Sequence, residues 1–213
     1  MSHLVVAIDG PAGAGKSTVA RAVAARLGYQ YIDSGAMYRA VAAVALREGV
    51  SMSDAERLAE IARALKDEPA DIRTPEVSEA ASRVSAIPGV RGALVDRQRS
   101  MASTGAVVME GRDIGSVVFP DAAVKIYLDA DREIRARRRW KDEGSRRDPA
   151  EVEREVAARD ERDCSRADSP LRRAPDAIVV DTSGRTIEEV VNEIVEIAQR
   201  EIVEIAQRKE ASR

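Results

Sequence analysis

Leu4-Val5-Val6-Ala7-Ile8-Asp9-Gly10-Pro11-Ala12-Gly13-Ala14-Gly15-Lys16-Ser17 is the stretch that decides the fold. Five apolar residues stopped by Asp9, Gly10 and Pro11 read as a short strand buried on both faces, which suits a parallel sheet. Lys16 to Leu27 reads as a helix closed by Gly28. Between them, Gly10 to Ser17 fits G-x-x-x-x-G-K-[ST], the phosphate-binding P-loop, in the strand-to-helix context that motif requires. Its glycines let consecutive backbone N–H groups turn toward phosphate oxygens, and the helix N-terminus adds positive potential. Gly10, Pro11, Ala12, Gly13, Ala14, Gly15, Lys16, Ser17 and Thr18 are therefore the expected cradle of a nucleoside triphosphate. In it Lys16 reaches the β and γ phosphates, Ser17 ligates Mg²⁺ and Thr18 adds an α-phosphate contact.

Outward from this stretch, apolar runs and helix signals alternate. Tyr29–Asp33, Ala106–Glu110, Val124–Leu128 and Ala177–Asp181 read as further strands. Helices are expected from about Gly35 to Arg47, from a Ser53/Glu56 capping box to about Lys66, and from Thr74-Pro75 to near Pro88. Others are expected from about Val90 to Ala102, from Asp148-Pro149 onward, and after a Thr186/Glu189 cap. The alternation predicts an α/β protein with a doubly wound parallel sheet of five strands, whose ligands lie at the carboxyl ends of the strands. Glu110 and Asp33 both stand at such ends, where an acidic residue holds a metal through water, and Glu110 is the preferred candidate.

The 213 residues carry 34 Lys plus Arg against 37 Asp plus Glu, a net −3 that gives no electrostatic case for nucleic acid or an anionic membrane. No apolar run approaches the roughly 18 to 20 residues of a membrane span, and the N-terminal run is cut off by Asp9, so a cytoplasmic chain without a signal peptide is expected. Cys164 is the only cysteine and reads as a spectator thiol; His3 is the only histidine. Histidine acid–base chemistry and histidine-rich metal sites are thereby excluded.

Four further stretches speak to the second substrate: Asp33-Ser-Gly-Ala-Met-Tyr-Arg39, Thr74-Pro-Glu-Val-Ser-Glu-Ala-Ala-Ser82, Glu110-Gly-Arg-Asp-Ile-Gly115 and Arg159-Asp-Glu-Arg-Asp-Cys-Ser-Arg166. With the P-loop they resemble the bacterial cytidylate kinase family along nearly the whole chain up to about Arg200. The resemblance implies a P-loop nucleoside monophosphate kinase fold with a monophosphate-binding excursion and a lid. It divides a single domain into a core (1–33, 103–130, 175–200), the excursion (34–102), the lid (131–166) and a tail (201–213). The implied partners are small nucleotides, ATP with Mg²⁺ as donor and CMP or dCMP as acceptor, on a monomer.

The resemblance also implies that Ser34, Arg39 and Arg112 hold the CMP phosphate, that Ser82, Arg91 and Asp113 read cytosine, and that Asp163 with Arg159 binds ribose while Arg166 braces the phosphate and ribose end. Elementary chemistry agrees: guanidinium forks match phosphate oxygens, and a carboxylate complements the exocyclic amine of cytosine but opposes the O4 of uracil. Met37 and Tyr38 read as helix packing. The arginine-dense segment 132–147, with Arg135, Arg137, Arg138 and Arg139, reads either as a salt-bridge-laced helix or, through the resemblance, as the lid, with Arg138 acting beside Lys16, Arg39 and Arg112 on the transferring group. Rival readings are a small P-loop kinase for UMP, AMP or shikimate, and a nucleotide-binding paralogue without activity.

Two departures from the family pattern stand out. Relatives carry a small antiparallel insert where this chain has only Asp67 to Ile72, six residues reaching at most about 20 Å. The shortening predicts weak CMP binding, with KM roughly 0.1 to 1 mM. Glu193–Arg200 (EIVEIAQR) is repeated unchanged as Glu201–Arg208. Eight helical residues turn through about 800°, so the second apolar stripe is rotated by about 80° and reads as a protruding tail.

Overall fold

The structure, a computed structural model, describes residues 4–66 and 72–211. Five parallel strands lie in the order β2-β3-β1-β4-β5: β1 Val5–Asp9, β2 Gln30–Asp33, β3 Val107–Gly111, β4 Val124–Asp129 and β5 Ile178–Asp181. Central β1 pairs Ile8 with Glu110 on one side and with Ile126 on the other, so the loop leaving β1 emerges at the switch in strand order. Every residue of β1 and β3 is buried, as continuous apolar runs require in a sheet covered on both faces.

Alternation along β1 sorts the core. Val5 and Ala7 join Val107 and Met109 in packing against α2 (Ser34–Arg47), α3 (Ala55–Ala64), α4 (Pro75–Val84) and α5 (Pro88–Met101). Val6 and Ile8 face the other way, toward α1 (Lys16–Leu27) and α8 (Ile187–Ala211). The helices of the 34–102 excursion thus share one apolar cluster with the sheet. Between β4 and β5 lie α6 (Arg132–Asp142) and α7 (Pro149–Ser165).

Local signals account for most boundaries. Thr74 accepts from Val77 N with Pro75 at the first turn, and Thr186 and Glu189 exchange backbone N–H bonds as a full capping box. One cap differs from expectation. Asp54, not Ser53, caps α3 by accepting from Arg57 N, while Ser53 is tied to Ser51. A charged acceptor at the dipole-positive end outcompetes the neighbouring hydroxyl. The helix in the arginine-rich segment is real: Arg139 and Arg147 both pair with Glu143, and Arg147 also with Glu151 and Glu155.

Helix α8 runs unbroken through both octapeptides. Ile194, Val195, Ile197 and Ala198 of the first copy are buried, whereas Val203 of the second is 54% exposed. That is the consequence of the 80° rotation: only one stripe faces α1 and the sheet, each large buried side chain contributing about 1.5 to 3 kcal/mol. The expected link at Asp67 to Ile72 lies, but for Ile72, outside the described residues.

Candidate active site

The loops after β1, β2, β3 and β5 open with α4, α5, α6 and α7 onto one cleft of about 920 Å³. The P-loop forms its base for backbone reasons. Gly10 has φ 151°, and a Cβ there would lie 2.0 Å from the Leu128 carbonyl oxygen on β4. Gly13 has φ 77°, and its Cβ would meet the Arg135 carbonyl oxygen at 2.7 Å. Both positions need the missing side chain. Buried Lys16 donates to the Pro11 carbonyl at 2.7 Å, folding back over its own loop. Burial, with the Arg112 charge adding to it, pushes the Lys16 ammonium down to about 7.

Every residue expected at the site lines this cleft except Gly10 and Pro11, which form the turn beneath it; Ser17 and Thr18 stand at the start of α1. Ser34 and Arg39 come from the first turns of α2, whose N-cap Asp33 accepts from Ala36 N at 2.9 Å, from Arg39 at 2.8 Å and from Arg73 at 3.1 Å. The carboxylate of Glu110, at the end of β3, accepts from the Tyr31 hydroxyl at 2.7 Å. Of the two carboxylates considered for a metal, Glu110 is therefore the less committed. Ser34 Oγ donates to the Glu110 carbonyl at 2.6 Å and so fixes the start of the next loop.

Arg112 donates through Nε to Asp163 of α7 at 2.9 Å. Burial opposes the Arg112 charge but the Asp163 carboxylate outweighs it, raising its pKa; burial likewise raises Asp163, and Arg112, Arg159 and Arg166 together pull it below the usual carboxylate range. Arg159 is pushed down to about 9 by burial and by Arg112. Deeper in the α2–α5 side, Arg91 donates to Asp113 and, at 3.2 Å, to the Ser85 carbonyl; Arg166 reaches Ser85 Oγ at 3.1 Å. Burial raises the Asp113 pKa despite Arg91. The expected base-reading pair is thus one buried ion pair.

Buried polar atoms without a hydrogen-bond partner concentrate here. Arg39 Nε, Ser82 Oγ, Arg91 Nε, Arg159 Nε and Arg166 Nη2 are among them, five atoms of five expected site residues. Folded proteins leave few such atoms, so five on the walls of one cleft are open to a partner that enters it, water or ligand. The charge agrees. Ten basic side chains against six acidic ones line the cleft, on a chain with net −3, so positive potential is focused where anions would meet.

A family model described as cytidylate kinase matches residues 6–200. A cytidylate kinase of Solibacter usitatus is 49% identical over 92% of this chain and 92% of its own length, and one of Symbiobacterium thermophilum is 50% identical over 91% and 95%. This chain belongs to the cytidylate kinase family. Among solved structures, a gluconokinase from Sinorhizobium meliloti is similar in fold, with TM-score 0.54 at 16% identity over 96% of this chain and 97% of that one.

Within this cytidylate kinase family member the segment 131–166, expected to form a lid, divides by residue. Arg138 donates to Thr182 Oγ1 at 2.8 Å and to its carbonyl at 2.7 Å, beside Gly15 in the cleft. Arg135 instead is buried against the P-loop, donating to Ala12 O at 3.0 Å and Asp160 at 2.6 Å, and Arg137 is exposed. Met37 packs in the core as expected. Tyr38 does more than pack: it lines the cleft with Arg91 over its ring at 5.8 Å, and burial raises its hydroxyl to about 12. One residue further round the helix is enough to turn it toward the opening. Sequence reading also passed over Arg73 and Thr182, which line the cleft; their signal was position alone, at the start of α4 and the end of β5.

Proposed function

We propose that this cytidylate kinase family member transfers the γ-phosphoryl group of MgATP to CMP or dCMP, giving ADP and CDP or dCDP. The observation that carries the reading is the convergence, in one cleft, of the P-loop and of buried polar atoms on Arg39, Ser82, Arg91, Arg159 and Arg166 that lack a hydrogen-bond partner. The P-loop residues Ala12 to Thr18 surround the donor polyphosphate, and Lys16 leaves the Pro11 carbonyl for the β and γ oxygens. Ser17 and Glu110 present only oxygen donors, a set that suits Mg²⁺ with several retained waters. An Mg²⁺ ion held by these residues would neutralise charge on the β and γ phosphates.

On the acceptor side Ser34, Arg39 and Arg112 hold the monophosphate, and Asp163 with Arg159 takes the ribose. Ser82, Arg91 and Asp113 read the base, and Arg166 braces the phosphate and ribose end. An already ionised acceptor oxygen attacks the γ phosphorus in line as the bond to the β-phosphate oxygen breaks. No general base is needed, so positioning and charge stabilisation by Lys16, Arg39, Arg112 and Arg138 carry the catalysis. Asp113 rejects uracil because a carboxylate faces its O4.

The excursion at 34–102 and the lid at 131–166 serve acceptor and closure, with 201–213 a tail. No helix among the described residues is long and apolar enough to cross a membrane. The reading takes the protein as a cytoplasmic monomer acting in pyrimidine nucleotide metabolism. A coupled ADP-release assay across CMP, dCMP, UMP, AMP and shikimate tests the reading. CMP or dCMP should give the highest kcat/KM, and a better turnover with any of the other three would overturn it.

A further inference from the structure

Asp9 ends β1 directly before the P-loop, is 5% exposed, and its carboxylate accepts from Ile114 N and from Gly115 N, both at 2.8 Å. Those two N–H groups open a single wide turn over Ile114–Val118, closed by Val118 N on Asp113 O and Phe119 N on Ile114 O. The first N–H groups of such a turn have no partner within it, and here a side chain from another strand supplies one. At the other end of the same stretch, Ser34 Oγ holds the Glu110 carbonyl, and a Cβ on Gly111 would meet Ser34 Oγ at 2.6 Å. Arg112 and Asp113 therefore lie between two pins, one at Glu110 and one at Ile114–Gly115.

We propose that Asp9 is a positioning residue for the acceptor: its two hydrogen bonds set where Arg112 and Asp113 stand relative to the P-loop, tying the loop that holds the donor to the loop that holds the monophosphate. Both bonds are to backbone, so the geometry they impose is that of the chain itself. A neutral amide cannot replace the carboxylate, because its oxygen accepts one N–H while its own NH₂ opposes the other. Burial raises Asp9 to about 6 against the pull of the two N–H groups, the mark of a carboxylate kept in the interior for the bonds it makes. Angular error at Arg112 and Asp113 is felt by the acceptor and by base choice, while the donor cradle keeps its own backbone.

The inference rests on the reading of Arg112 and Asp113 as acceptor residues, so the test pairs two variants. In Asp9→Asn, KM for CMP should rise about tenfold or more and the preference for CMP over UMP should fall, with KM for MgATP within about twofold. Amide hydrogen exchange at Ile114 and Gly115 should accelerate. A folded Asp9→Asn with CMP KM and base preference unchanged, or with both nucleotides weakened alike, overturns the proposal as a merely structural role would. If Arg112→Ala also leaves CMP kinetics untouched, the underlying reading fails; if Arg112→Ala is impaired and Asp9→Asn is not, only this inference fails. Should Asp9→Asn not fold, Asp9→Ser, whose shorter side chain cannot accept from both N–H groups, must give the same split between the two KM values.

Discussion

Lys16 rests on a carbonyl of its own loop, whereas three of the arginines proposed for the acceptor side rest on carboxylates: Arg39 on Asp33, Arg112 on Asp163 and Arg91 on Asp113. The proposed donor half is one contiguous segment, 10–18, whose backbone would do most of the binding. The proposed acceptor half is assembled from β2, β3, α2, α4, α5 and α7, and three of its arginines are already matched with carboxylates. Pairing holds long side chains in place, so that less ordering remains when a phosphate arrives. It also means that removing Arg112 or Arg91 takes a hydrogen bond from a buried carboxylate, so those two substitutions cost twice, whereas Asp33 keeps Ala36 N and Arg73 when Arg39 is removed.

That contrast is open to attack, beginning where the effect should be largest. Lys16→Ala should lower kcat at least about a hundredfold with the fold kept, because the lysine acts on charge at the transferring group and is no part of the core. Near wild-type turnover by a folded variant would remove the P-loop from the chemistry. Arg39→Ala and Arg112→Ala should each cost about 2 to 5 kcal/mol in kcat/KM for CMP, read from steady-state kinetics at saturating MgATP. Equal losses in MgATP affinity would erase the distinction between the halves. Asp113→Asn should relax the choice of CMP over UMP by about tenfold, since a rotated amide donates to uracil O4; an undiminished preference would take Asp113 out of base reading. The smallest effect belongs to the exposed pair Arg162–Glu79, which joins α7 to α4 at 2.7 Å. Glu79→Ala should change kcat/KM by less than about 1 kcal/mol. A larger loss would make that pair a closing latch and shift weight from the buried arginines to the surface.

The same contrast explains what could be read from the sequence. Strands, helices and the P-loop were legible because each is coded by neighbours in the chain: the apolar run 4–8, the glycines at 10, 13 and 15, and the caps at Thr74 and Thr186. The acceptor residues were legible only through the resemblance carried by DSGAMYR and EGRDIG, because Ser82, Arg91 and Asp163 look like ordinary helix residues until the fold gathers them. Asp9 was read as the residue that stops a strand. Nothing near it in sequence says that it bonds Ile114 and Gly115, more than a hundred positions away. Ser53 was misjudged by one position beside a stronger cap.

Isothermal titration of CMP, and separately of ATP, into the wild-type protein and into the double variant Arg39→Ala/Arg112→Ala tests the division of the cleft most directly. The account predicts that the folded double variant loses measurable CMP binding and keeps ATP affinity within about threefold, because the donor cradle is backbone and the acceptor cradle is guanidinium. Undiminished CMP binding, or a parallel loss of both nucleotides in a folded protein, would contradict it.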